Sequence, residues 1–199
     1  MGLSSKFVNH LKPIIFLLLV LPSIYWGINF IDNNLGVNPI DKLMDKLGEM
    51  SLRLIILTLL LSSLGDIKNF RSILNLRRMI GLFAFYYIFL HFITYIVLDH
   101  YFNWQFILKD IIKRPFITFG FISFLCLIPM AITSFDGMIK KLGFNLWKKI
   151  HYLIYPAAIL SSFHFFMLVR ANKTEPIIYI GIIILLLSYR FYKKIFIRR

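Results

Sequence analysis

Residues 79–98 read MIGLFAFYYIFLHFITYIVL, and residues 150–169 read IHYLIYPAAILSSFHFFMLV. Neither stretch holds a lysine, arginine, aspartate or glutamate. A helix of about 20 residues rises about 30 Å, the thickness of a bilayer's hydrocarbon core. Yet the first stretch carries His91, and the second carries His151 and His164. An ionisable ring at membrane depth costs free energy unless a partner satisfies it. Three such rings on two spans are hard to explain as packing. A metal satisfies them most economically, and in a helical bundle haem iron is the natural candidate.

The rest of the chain agrees with a membrane setting. Of its 199 residues 59% are hydrophobic and 17% aromatic, which excludes an ordinary soluble domain. The net charge of +14 does not point to nucleic acid, because the basic residues gather at the ends of apolar runs. Cys126 is the only cysteine and lies in an apolar run, so no intrachain disulfide and no thiolate-held zinc or iron–sulfur site is expected. The first apolar run follows Lys6 and Lys12 and is long, with no A-x-A site behind it, so a cleavable leader is not expected.

Six apolar segments are read. Those at 13–31, 79–98, 115–135 and 150–169 are charge-free at spanning length. The run at 54–65 is short, so its helix is expected to start earlier and to carry Arg53. The run at 176–189 is expected to continue past Arg190. Pro13, Pro115 and Pro176 open three of the runs, as at a first helical turn. Asn33-Asn34-Leu35-Gly36 and Ser134-Phe135-Asp136-Gly137 have turn chemistry. No internal repeat is read. The expected fold is an all-α membrane protein, a single domain over 1–199 built as a six-transmembrane-helix bundle. With the N-terminus inside, one side of the bilayer holds 15 of the 23 lysines and arginines, so both termini are expected in the cytoplasm.

In that arrangement the third and fifth spans run the same way. His91 follows Arg78 by 13 residues, and His164 follows His151 by 13. Each interval is about 20 Å of helix. His91 and His164 therefore share a depth toward the outer face, as two axial haem ligands must. A six-coordinate iron between two imidazoles changes oxidation state with little rearrangement and suits electron transfer. His151 lies deeper, level with Arg77 and Arg78, and would serve a second, inner centre. A guanidinium is a poor iron ligand but a good partner for a haem propionate. The second ligand of that centre is open between water, another side chain and a five-coordinate iron. Thirteen residues also turn an ideal helix by about 220°, so His151 and His164 face different ways unless Pro156 shifts the phase. His10 and His100 lie at interfaces and need no partner.

Several stretches carry a family resemblance. These are Arg77-Arg78-Met79-Ile80-Gly81-Leu82 leading to Leu90-His91 and Tyr95, Arg114-Pro115-Phe116-Ile117-Thr118-Phe119-Gly120, and Thr133-Ser134, Lys141-Leu142-Gly143, Trp147, Ile150-His151, Tyr155 and His164. Together they resemble the MsrQ (YedZ) family, the haem-binding membrane subunits of bacterial protein-methionine-sulfoxide reductase systems, within the ferric reductase-like transmembrane group. The resemblance runs over essentially the whole chain. It implies one or two b-type haems held by His91, His151 and His164, an association with FMN, and a place in the bacterial inner membrane. It further implies electrons drawn from the quinone pool as quinol and passed to an MsrP-like periplasmic molybdopterin reductase, which repairs oxidised envelope proteins. The chain would not be an enzyme alone. It shows no nucleotide loop and no nucleophile constellation of its own. Two other readings stay open: a free-standing ferric or cupric reductase cytochrome, and a small transporter or scaffold whose histidines relay protons or brace helices.

Overall fold

The computed structural model describes residues 5–197, whose secondary structure is helical, with no strand among them. Arg198 and Arg199, counted above with the basic residues, lie outside the described residues. Nine α-helices follow in order: α1 Ser5–Ile31, α2 Pro39–Leu64, α3 Leu74–Thr94, α4 Trp104–Lys113, α5 Pro115–Ile132, α6 Asp136–Leu142, α7 Phe144–His151, α8 Ile154–Leu168 and α9 Thr174–Tyr192. Six stretches are long and apolar enough to cross a bilayer: Lys6–Ile31, Pro39–Leu64, Phe70–Asp99, Pro115–Ile132, Phe144–Leu168 and Thr174–Phe196. The protein is a multi-pass membrane protein. In hydrocarbon every backbone polar group must be satisfied within the segment, and helices do this.

The second span begins at Pro39, which sits in the first turn of α2, and it carries Arg53 as expected. Arg53 is not left alone there. It bonds Glu49 at 3.0 Å and Glu175 at 2.9 Å, and donates to the Tyr179 hydroxyl at 2.7 Å. The last span runs past Arg190 as expected. Pro13 departs from expectation. It lies inside α1, as does Pro22, rather than opening the helix. The residues before Pro13 are themselves compatible with helix and are helical from Ser5 among the described residues, and neighbouring groups in a membrane re-satisfy what a proline frees.

α2 packs along α3, and α5 packs along α8. These two pairs are the body of the bundle. α9 closes over α8 and α2, and α1 lies on the outside of α3. The buried centre holds Ile55 and Leu59 of α2, Tyr87 of α3, Ala157 and Ala158 of α8, and Ile183 of α9. Small residues on α8 let backbones approach, as membrane helix interfaces require. Tyr87 is fully buried and ties α1 to α3 by donating its hydroxyl to the Leu19 carbonyl at 2.6 Å. Phe16, Leu17, Leu18, Ile184, Leu185 and Phe191 face outward, where lipid rather than water is their solvent.

Three features were not read from the sequence. α4 is an additional short helix between the third and fourth spans, with Ile107 and Asp110 turned inward and Leu108 and Ile112 outward. Ser134-Phe135-Asp136-Gly137 is not a simple turn, since Asp136 begins α6. The fifth span is broken between α7 and α8. There Leu153 N–H bonds Ile150 O at 3.0 Å and Tyr155 N–H bonds Tyr152 O at 3.1 Å, both in the tighter i−3 pattern. Pro156 has no N–H for the Tyr152 carbonyl, and its ring crowds that turn, so the helix breaks just upstream.

Candidate functional site

His91 is on α3 and leans toward α2. Its Nδ1 lies 2.9 Å from the Met44 carbonyl. His164 is on α8 and leans toward α5, with Nδ1 2.6 Å from the Phe116 carbonyl. A carbonyl can only accept, so Nδ1 carries the proton in both rings and Nε2 keeps its lone pair. Such an outer hydrogen bond fixes the tautomer and orientation of metal-ligating histidines.

The same device is built twice. Gly48 follows Met44 by four residues, and a Cβ there would stand 3.1 Å from His91 Nδ1. Gly120 follows Phe116 by four, and a Cβ there would stand 2.8 Å from His164 Nδ1. Three residues further on, buried Ser51 donates to the Ala84 carbonyl at 2.9 Å, and buried Ser123 donates to the Ala157 carbonyl at 2.9 Å. Ala84 precedes His91 by seven residues, as Ala157 precedes His164. So α2–α3 and α5–α8 are two copies of one helix pair, each carrying a glycine cradle, a serine clasp and a histidine. The structure thus contradicts the reading of no internal repeat. The repeat escapes a sequence scan because little beyond Gly-x-x-Ser and Ala-x6-His survives between the copies.

The two imidazoles meet across a cavity of about 500 Å³ lined by both histidines and by Phe92, Phe116, Phe124 and Phe165. That size and apolar lining are those of a cofactor site. Their ring centres are 6.3 Å apart and their planes 83° apart. A nitrogen lies roughly 1.1 Å from its ring centre and a metal–imidazole bond is about 2 Å, so two rings on opposite sides of one metal have centres roughly 6.2 Å apart. The separation of the pair matches that value. Among the described residues no group of three or more His, Cys, Asp or Glu is placed to hold an ion by itself. Two axial imidazoles suffice when a macrocycle supplies the other ligands. The residues present therefore fit a haem iron.

Toward one end of the bundle the cavity is lined by Asp41, Asp45, Glu49, Asp99, Asp110 and Tyr95. Tyr95 lies one helical turn beyond His91. Its hydroxyl is buried with no hydrogen-bond partner among the described residues, and so is His100 Nε2. That nitrogen lies 3.6 Å from carboxylate oxygens of both Asp99 and Asp110. His100, read from sequence as an interfacial residue needing no partner, is thus wedged into an acidic mouth.

At the opposite end of the bundle the arrangement differs. His151 ends α7, with Nδ1 3.0 Å from its own Trp147 carbonyl and its ring stacked on Trp147 at 4.0 Å. Trp147 is held in turn by Nε1 donating to Thr133 O at 2.9 Å. The structure separates the two neighbouring arginines. Arg78, the counterpart of His151 in the repeat, pairs with Asp136 at the start of α6. Arg77 is the one within electrostatic reach of His151, Tyr155 and Arg190. Arg190 was counted in the sequence for topology only.

The profile of the ferric reductase like transmembrane component family matches residues 47–162, which spans both helix pairs. A protein of Rhodospirillum rubrum named protein-methionine-sulfoxide reductase heme-binding subunit MsrQ is 41% identical over 176 residues, 88% of this chain and 85% of that protein. The chain belongs to the MsrQ family. Relatives of the same name from Herminiimonas arsenicoxydans and Azospira oryzae are each 39% identical, covering 90% and 94% of this chain and 84% and 81% of their own lengths. The matched family region contains Gly48, Ser51, His91, Gly120, Ser123, His151 and Ala157, while His164 lies two residues past its end.

Proposed function

We propose that this chain is a transmembrane electron-transfer subunit that takes electrons from the quinone pool and passes them, by way of b-type haem, to an MsrP-like periplasmic molybdopterin reductase of methionine sulfoxide. The observation that carries this reading is the His91–His164 pair, 6.3 Å apart across an apolar cavity, each ring held by a backbone carbonyl. Bound between such imidazoles, a haem iron takes up and releases one electron without changing its ligands. The names of the relatives, heme-binding subunits of protein-methionine-sulfoxide reductase, support the same reading.

Each residue has a part in it. The Met44 and Phe116 carbonyls hold Nδ1–H and so present Nε2 to the metal. Gly48 and Gly120 leave the rings room to stand. The phenylalanines exclude water. His151, stacked on Trp147, serves a second, inner centre, with Arg77 as the cation for its propionate. Arg78, paired with Asp136, adds to the basic charge that sets topology. The whole of 1–199 acts as one ferric reductase-like haem-binding domain in the bacterial inner membrane, with both termini cytoplasmic. FMN rests on family resemblance alone.

A backbone-locked Nδ1 is poorly suited to passing protons, which disfavours a proton-relay transporter or a scaffold. A free-standing ferric or cupric reductase would differ in its acceptor. The test is a reconstitution in liposomes. A quinol should reduce the haem, seen in the α band. Adding the molybdopterin reductase with methionine sulfoxide should then reoxidise it. Reoxidation by ferric or cupric ions alone would favour the metal reductase, and a protein without a Soret band would remove both.

A further inference from the structure

Arg53, Arg78 and Arg114 each meet a carboxylate, those of Glu49 and Glu175, of Asp136, and of Asp110. Arg77 and Arg190, at the inner end, meet none among the described residues. Arg190 of α9 is half-buried and fixed. Its Nη2 donates to the Leu59 carbonyl on α2 at 2.9 Å, its Nη1 to the Tyr155 hydroxyl on α8 at 3.4 Å, and its guanidinium lies 5.6 Å over the Tyr155 ring. Arg77 of α3 lies within electrostatic reach of the same Tyr155 and Arg190, and it is exposed. Neither guanidinium pairs with a carboxylate among the described residues. One carbonyl, one hydroxyl and one aromatic face do not neutralise two cations.

Like charges placed together at the end of an apolar bundle repel and lower stability unless an anion joins them. Holding Arg190 rigidly by two neighbouring helices makes sense if its remaining donor edge has a job. Both guanidiniums have the planar donor fork that recognises carboxylate and phosphate. We propose that Arg77 and Arg190 together form an oxyanion site beside His151, for the carboxylate or phosphate group of a bound cofactor or lipid. The carboxylate case, a haem propionate, rests on the reading of His151 as an inner haem centre. The phosphate case does not.

The test uses the full-length protein with its bound haem, purified in phosphate-free buffer, against Arg190→Lys, Arg190→Gln and Arg77→Gln. Two quantities are read: the midpoint potential of each haem, and bound phosphorus per polypeptide after detergent exchange. If a propionate is held, losing either cation disfavours the reduced, more negative haem. Each Gln variant should then lower one haem's reduction equilibrium constant about tenfold, or 59 mV for one electron. Lys at 190 should recover part of that, and the haem that depends on His91 and His164 should not move. If a phosphate is held, the Gln variants should lose bound phosphorus with both potentials unchanged. If neither quantity moves at either arginine, the oxyanion site is overturned. A wild-type protein with only the His91–His164 haem would remove the inner-haem reading by itself, and phosphorus alone then decides the site. Arg77 makes no hydrogen bond among the described residues, so Arg77→Gln still gives an answer if Arg190→Gln fails to fold.

Discussion

At the scale of single residues the site depends on two rings and the space around them. His91→Ala or His164→Ala should remove the haem between them, so pyridine haemochrome analysis should show one haem fewer per polypeptide. Unchanged haem in either variant would refute the ligation. The glycines give a finer prediction, because it concerns residues that bear no ligand atom. A Cβ at Gly120 would stand 2.8 Å from His164 Nδ1, closer than real contacts allow. Gly120→Ala should therefore push the ring off the Phe116 carbonyl. Losing an outer-shell contact of this kind typically costs about 10–100-fold in metal affinity, readable as haem lost on dilution or to a competing apo-globin. Gly48→Ala meets His91 Nδ1 at 3.1 Å and should do less. Equal effects of the two would argue against crowding as the cause.

At the scale of helices, the repeated pair α2–α3 and α5–α8 is clasped by Ser51 and Ser123. Hydrogen bonds between membrane helices contribute about 0.6 kcal/mol each. Ser51→Ala and Ser123→Ala should each destabilise the protein by about that amount, and the double variant by about their sum, since the clasps lie in different pairs. Denaturant or thermal unfolding in detergent measures this. A much larger loss in either would mean the serine also orders the cavity. These elements also show what the sequence made legible. The six spans and the shared depth of His91 and His164 were readable, because charge-free runs of spanning length and intervals along a helix need no tertiary knowledge. α4 was not, because a ten-residue amphipathic helix carries Lys109, Asp110 and Lys113 and makes no apolar run. The repeat was not, because packing fixes only glycine, serine, alanine and histidine in it and leaves lipid-facing positions free. Pro156 was recognised as a possible source of a phase shift, but the break at Tyr152–Leu153 that it causes needs the backbone. Arg77 and Arg78 looked equivalent by spacing, and only side-chain direction separates them.

At the scale of the whole molecule, charge is divided across the bilayer. Among carboxylates only Asp66 and Asp136 fall on the side with most of the lysines and arginines, and the cavity's other end is acidic. On the positive-inside rule the basic end, with His151, Arg77 and Arg190, is expected in the cytoplasm, and the acidic mouth outside. Reporter fusions at the N-terminus, the C-terminus and the segment before α4 should report inside, inside and outside. The reverse pattern would invert the direction of electron flow, and termini on opposite sides would contradict six spans. The proposed flow depends on one arrangement, a metal shared by His91 and His164, whose ring planes stand 83° apart. Low-temperature electron paramagnetic resonance of the oxidised protein tests it most directly, because crossed and parallel axial imidazoles give different low-spin spectra. The predicted result is a highly anisotropic low-spin ferric signal with one large g value, lost in both His91→Ala and His164→Ala. A rhombic or high-spin signal that persists unchanged in those variants would contradict the account.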